Sequence, residues 1–199
     1  VGNVGVSCVT QHFAYVTNQF NTVWQCSVSA TTGALTNCAS TGSGFSGPFA
    51  VALSANGSYA YVANQYNNTV SQCSVDATTG ALTSCVSTGS GFRGPSGVTL
   101  SASGSYAYVA NYFGTVSQCS VDANTGALSN CAGTGSAFSN PDGVAVSANG
   151  RYAYVANGGN NTVSQCSVDA TTGALTNCAS TGSAFSLAWG VALSANGNY

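Results

Sequence analysis

Lysine and glutamate are absent from this sequence, and arginine occurs only at Arg93 and Arg151. With Asp76, Asp122, Asp142 and Asp169 the charged residues reach 3% of the chain, against roughly 25% in ordinary soluble domains. Two cations cannot neutralise a run of phosphates or an anionic lipid leaflet, so nucleic-acid partners and electrostatic membrane binding are excluded. No stretch approaches the roughly 18 apolar residues of a spanning helix, and no membrane insertion is expected. Val1 to Val9 lack a basic start followed by a long apolar stretch, so any secretion is expected to have used a leader outside this sequence. The polar surface must come from Asn, Ser, Thr, Gln and Gly, which hydrate without charge and suit an extracellular setting.

What is present is a repeat. Aligned on cysteine, the chain divides into blocks at about 1–46, 47–93, 94–139 and 140–186, with 187–199 opening a fifth. One architecture therefore runs throughout, a single repeat domain. In the second block Val51 to Ser54 leads to an Asn56-Gly57 turn and then to Tyr59 to Asn64, a tight hairpin in which Asn-Gly tolerates positive φ. Thr69 to Val75 and Ala81 to Thr88 follow, separated by Ala77-Thr78-Thr79-Gly80. Recurrent glycine and β-branched residues, with no apolar stripe at helical spacing, disfavour helix. The fold class is all-β. Four strands per copy match a β-propeller blade of antiparallel strands a to d, running from the axis outward, with an open β-solenoid-like array as the alternative. Val51, Leu53, Ala60 and Val62 are expected on the faces between blades.

The string Tyr15-Val16-Thr17-Asn18 and its variants Tyr61-Val62-Ala63-Asn64, Tyr108-Val109-Ala110-Asn111 and Tyr154-Val155-Ala156-Asn157 resemble the signature of YVTN-type β-propeller repeats. The Asp-Ala-Thr-Thr-Gly-Ala-Leu-Thr segments are similar to the lactonase-like branch of that family, which includes bacterial and archaeal secreted and surface proteins. The resemblance covers nearly the whole chain and implies the propeller fold. It is shared by surface-layer proteins, binding proteins and enzymes alike. The paired cysteines depart from the related repeats, which usually carry other residues there.

Eight of the nine cysteines form two series twelve residues apart: Cys26, Cys73, Cys119 and Cys166, and Cys38, Cys85, Cys131 and Cys178. Counting inward from Cys73 and Cys85, Val75 faces Thr83 and the turn centres on Thr79, which sets the cysteines opposite each other at a separation that suits a disulfide. Bridges within each block are therefore expected, and with them a location outside the reducing cytosol, secreted or at the cell surface. Zinc sites favour closer cysteine pairs and four converging ligands, so no metal and no cofactor is expected. Cys8 has no partner in the pattern, and a buried thiol is the default over pairing with an upstream segment or another chain.

Catalysis needs groups that titrate near neutrality, and the sequence offers His12 and four aspartates. Asp76, Asp122 and Asp169 recur before the third turn of successive copies, where Asp accepts backbone N–H groups. Asp142 alone stands at a non-repeating position, and the acidic, His or Arg residues of lactonase-like relatives have no evident counterpart. Variation among copies concentrates in the b-to-c and d-to-a loops, which strand order puts on one face. Candidate binding residues there are Phe20, Phe49, Tyr66, Tyr112, Phe113, Asp142 and Trp189, able to stack on sugar rings or anchor a protein; plugging the channel or packing between blades is the competing reading. Asn56, Asn67 and Asn160 lie in Asn-x-Ser/Thr sequons, which chance produces readily in this composition. These observations lead to the expectation of a non-enzymatic secreted propeller, a surface, matrix or filament-forming module. Recognition of glycan or protein is the alternative, with a lactonase-like hydrolase third. The chain ends inside a hairpin, so contacts with other copies or neighbouring surface proteins are expected.

Overall fold

The computed structural model describes residues 12–182 and 185–194, so Cys8 lies outside the described residues. The first sheet holds β1 (His12–Asn18), β2 (Thr22–Val28) and β3 (Leu35–Thr41). The second runs β4 (Pro48–Leu53), β5 (Tyr59–Asn64), β6 (Thr69–Val75) and β7 (Leu82–Thr88). The third runs β8 (Pro95–Leu100), β9 (Tyr106–Asn111), β10 (Thr115–Val121) and β11 (Leu128–Thr134), and the fourth β12 (Pro141–Val146), β13 (Tyr152–Asn157), β14 (Thr162–Val168) and β15 (Leu175–Thr181). Every pairing is antiparallel between sequence neighbours, the blade order of a propeller. Among the described residues no helix is long and apolar enough to cross a membrane.

Alternation along the strands places small and β-branched residues on the faces between sheets. Ala60 and Val62 pack with Val23 and Phe45 of the preceding blade, whereas Tyr61 and Ala63 on the opposite face pack with Val98, Ala107 and Val109 of the next. Val62, Val109 and Val155 are fully buried, each contributing about 1.5–3 kcal/mol. Of the four expected interblade residues Leu53 differs: it ends β4 at the mouth of the a–b hairpin and stays 41% exposed.

The signature tyrosine explains itself at the blade joints. Tyr15 Oη donates to Gly80 O at 2.6 Å, Tyr61 Oη to Gly126 O at 2.7 Å and Tyr108 Oη to Gly173 O at 2.6 Å, each reaching the c–d turn of the following blade. Desolvation pushes the Tyr61 and Tyr108 phenols up to about 12. That turn is held by its own aspartate: Asp76 accepts from Thr78 N at 3.0 Å, Thr79 N at 2.7 Å and Thr79 Oγ1 at 2.8 Å, and Asp122 and Asp169 repeat the arrangement. These bonds hold all three carboxyls below the ordinary carboxylate value.

Two local expectations are corrected. The a–b hairpin turns at Asn56-Gly57 as expected, but only Gly57 takes positive φ, at 71°. Ser54 Oγ donates to Asn56 Oδ1, and Gly57 N closes the loop on Ser54 O at 2.8 Å. The cysteines are not directly opposed. Val75 pairs with Leu82 and Ser74 with Thr83, but Gln72 pairs with Val86, so Cys73 faces a bulge made by Ser84 and Cys85. The extra residue takes positive φ, at Asn37, Ser84, Asn130 and Asn177, where Asn tolerates the left-handed region. The bridges Cys26–Cys38, Cys73–Cys85, Cys119–Cys131 and Cys166–Cys178 all form, with Cα atoms 4.0 Å apart. They join the outer two strands of each blade and indicate an oxidising compartment, periplasmic or extracellular.

Candidate functional site

The asparagine that ends strand b builds the face opposite the c–d turns. Asn64 Nδ2 donates to Ser71 Oγ at 2.9 Å, and its Oδ1 accepts from Ser46 N at 3.3 Å, tying strand c and the incoming d-to-a loop to one side chain. Asn111 and Asn157 do the same, accepting from Arg93 N and Ser139 N. A second asparagine pins three of the four d-to-a loops from the previous blade: Asn21 Oδ1 accepts from Gly47 N, Asn68 Oδ1 from Gly94 N and Asn161 Oδ1 from Leu187 N, at 2.7–2.8 Å; the third blade has Gly114 at that position, and there Asn140 Nδ2 donates to Tyr112 O. All three accepting residues, and the donors Gly47, Gly94 and Leu187, have positive φ. Fixed in this way, the loops can vary in side chain without changing course.

They enclose a cleft of about 580 Å³. Its walls come from two sets of equivalent positions. Residues directly after the strand-b asparagine supply Gln19, Gln65, Tyr112 and Gly158, and residues entering the next strand a supply Phe49, Ser96, Asp142 and Trp189. Asn140, Gly159 and Leu187 complete it. The repeat thus presents two backbone positions in four copies each, filled by Gln twice and otherwise by a different residue every time.

The fourth blade is the open one. Where the second and third carry Gln65-Tyr66 and Tyr112-Phe113, it carries Gly158-Gly159. A Cβ on Gly158 would collide with Asp142 Oδ2 and would lie 3.5 Å from Asp142 Cγ and 3.6 Å from Trp189 Cδ1. The missing side chain is therefore the space that the Asp142 carboxylate occupies, beside the Trp189 indole. Asp142 is half-buried, and desolvation pushes its pKa above the ordinary carboxylate value. Ser96, its counterpart one blade earlier, is buried, with Oγ 2.9 Å from Pro141 O and 3.2 Å from Ala110 O.

Of the candidate residues, Phe49, Tyr112, Asp142 and Trp189 meet at the cleft. Tyr66 lies outside the wall, over Gly47 and edge-on to Phe49 at 6.2 Å; Phe113 also lies outside, edge-on to Tyr112 at 5.6 Å. Phe20 is 86% exposed. Gln19, Gln65, Ser96, Asn140 and the two glycines were not among the candidates, although their place after the motif asparagine or beside the loop proline marks them in the repeat. His12 begins β1 and Asn18 ends it at the cleft face, so the imidazole is about 20 Å away along the strand. Among the described residues no group of three or more His, Cys, Asp or Glu side chains could hold a metal ion.

A family model described as "Lactonase, 7-bladed beta-propeller" matches residues 21–188. No curated protein matches. Among solved structures, the chain superposes on a putative 6-phosphogluconolactonase from Bacteroides uniformis with TM-score 0.66 at 19% identity, covering 95% of this chain and 60% of that one. A putative 6-phosphogluconolactonase from Bacteroides fragilis gives 0.62 at 21% identity, with coverage of 90% and 57%. The Pseudomonas aeruginosa periplasmic gluconolactonase PpgL gives 0.60 at 20%, with coverage of 85% and 53%. The chain spans little more than half the length of these structures, and such identities carry the fold alone.

The family match overturns the expectation of a non-enzymatic structural module. That expectation rested on the disulfide staples, the scarcity of charge and the lack of a recognisable catalytic set, with Asp142 set aside as a single acid. Matched over residues 21–188, the chain belongs to the lactonase seven-bladed β-propeller family.

Proposed function

We propose that the protein is a lactonase-like hydrolase that opens a lactone ring in the loop-face cleft, with Asp142 as general base. The observation that carries this reading is the half-buried Asp142 carboxylate, seated between Gly158 and Trp189 in a member of a lactonase family. A carboxyl whose pKa is raised is a stronger base once ionised. Asp142 takes a proton from water, and the hydroxide adds to the lactone carbonyl. The ring C–O bond then breaks, and the proton passes to the departing alkoxide, giving the hydroxy acid. Gln19 and Gln65 on the wall supply N–H donors for the oxyanion. An activated ester needs no second carboxylate, which answers the scarcity of acids.

Hydrolysis of glucono-δ-lactone, followed by proton release above the spontaneous rate, tests this. Asp142→Asn should lower kcat by about 10²- to 10⁴-fold, the range for losing a general base. Activity of the unchanged protein should rise with pH through the raised pKa of Asp142, because only the ionised form accepts a proton. Turnover indifferent to Asp142→Asn removes the assignment. The four disulfides support action in the periplasm or outside the cell.

A further inference from the structure

We infer that the backbone N–H of Asn140 is an oxyanion donor of the cleft, taking the oxygen of the lactone carbonyl as it becomes negative. The inference rests on the lactonase reading and adds to it a residue that acts through its main chain. The repeat breaks its own rule at this position. In the other three d-to-a loops the equivalent N–H, of Gly47, Gly94 or Leu187, is held at 2.7–2.8 Å by the carboxamide oxygen of an asparagine in the preceding blade. Asn140 shares their left-handed conformation, with φ 45° beside 55°, 61° and 53°. Its peptide is also anchored like theirs: Gly158 N donates to Asn140 O, as Gln65 N does to Gly47 O and Tyr112 N to Gly94 O. The N–H of Asn140 therefore points toward the third blade, where the asparagine is missing. Gly114 stands there, at the place where the equally short first-blade loop Gln19-Phe20-Asn21 has its asparagine.

The oxygen site is open. A Cβ on Gly114 would meet nothing within 4 Å, and the side chain of Asn140 is committed elsewhere, with Nδ2 on Tyr112 O at 3.0 Å and Oδ1 against Gly159. The third and fourth blades on either side lie within the described residues, and among these Asn140 N has no hydrogen-bond acceptor. Three asparagines of the same chain show what such an N–H binds, an sp² oxygen, and a lactone carbonyl presents the same atom. Asn140 lines the cleft two residues before Asp142, so donor and base are joined through Pro141. Ser139 N on Asn157 Oδ1 and Gly158 N on Asn140 O hold that segment in place. As hydroxide adds, the carbonyl electron pair moves onto the oxygen facing Asn140 N, and it returns when the ring C–O bond breaks. A backbone donor fixed in advance needs no reorganisation at that moment, unlike the side chains of Gln19 and Gln65.

The test reads the amide itself. In ¹H–¹⁵N spectra of the full chain, the Asn140 amide proton should move downfield on addition of gluconolactam, which offers a carbonyl but is not hydrolysed; the amides of Gly47 and Gly94, already bonded, should stay in place. Gly114→Asn supplies the carboxamide that the other blades use. It should shift the Asn140 amide without ligand and lower kcat for glucono-δ-lactone by about 10²- to 10³-fold, the range for losing one oxyanion donor. Gly114→Ala, which adds a Cβ but no carboxamide, should keep kcat. An Asn140 amide that does not respond to the lactam overturns the inference, as does a lactam that does not bind, or a Gly114→Asn variant with the amide shifted and kcat unchanged. The hydrolase reading is judged separately by turnover. An amide that responds in a protein without turnover removes the catalysis and leaves the oxygen site, whereas turnover that depends on Asp142 with a silent Asn140 amide removes the donor and leaves the hydrolase.

Discussion

The two faces of the propeller are built on opposite terms. On the face of the a–b and c–d turns, polar side chains are spent on their own backbone: each of Asp76, Asp122 and Asp169 satisfies three donors within its own turn. On the face of the b–c and d–a loops, backbone groups are satisfied by asparagines of the repeat, and the residues between them vary from copy to copy. Constancy along the chain thus reports where side chains hold the backbone of every copy alike. An aspartate is a clamp on one face and a candidate base on the other, and its pKa moves accordingly, down in the first case and up in the second.

The comparison breaks most visibly at the loop face, where Asp142→Asn carries the largest expected effect. Gly158→Gln, restoring the residue that Gln65 supplies in the second blade, should follow closely. It displaces the carboxylate and should cost about 10-fold or more in kcat, since small misplacements at a reacting centre are expensive. The melting temperature should barely move. An active Gly158→Gln variant would mean that Asp142 does not need its place.

Stability should respond in the reverse pattern. Replacing Cys73 and Cys85 together by serine should destabilise by about 3 kcal/mol on the loop-closure model, read as a lower denaturant midpoint with kcat unchanged. Tyr61→Phe should remove about 1–3 kcal/mol, because Gly126 O loses its buried donor. The same phenols predict an alkaline limb. Above the ordinary value of 10.0 an unfolded tyrosine ionises while Tyr61 and Tyr108 stay neutral up to about 12. Unfolding then releases protons and stability falls across that window. A Tyr61→Phe, Tyr108→Phe double variant should flatten the decline.

The smallest effect belongs to the exposed turns. Their carboxyls titrate below 3.8 in the folded state, so their contribution is present above that value and is lost as acid carries the pH down through the lowered pKa values. The first blade holds Ser29 at this position, accepting from Thr32 N at 3.3 Å. Replacing the three aspartates by serine should therefore reduce the acid dependence without unfolding the protein.

Much of the scaffold was legible in the residues. The period, the YVxN strings and the cysteine spacing specify four-stranded blades and their bridges, because each is a local pattern repeated until chance is excluded. The bulge at Ser84 was hidden, since an offset of one residue changes register without changing spacing. Asp142 stood out as the acid that is not repeated, but Gly158 gave no sign of its role. Its meaning is an empty volume filled by a side chain from another strand, and a glycine in a loop ordinarily signals only a turn. The scarcity of charge misled in the same way: it describes the surface as a whole, whereas chemistry depends on the desolvation of single groups.

The tyrosine contact between blades has a consequence for how such a chain grows. Its donor lies in one copy and its acceptor 65 residues on, in the next. A duplicated unit therefore arrives with one half of the joint behind it and one half of the joint ahead, and it couples to its neighbours without any new interface having to evolve. Lengthening by duplication leaves the joints intact, while each added copy brings two more loop positions at which a binding residue can be tried.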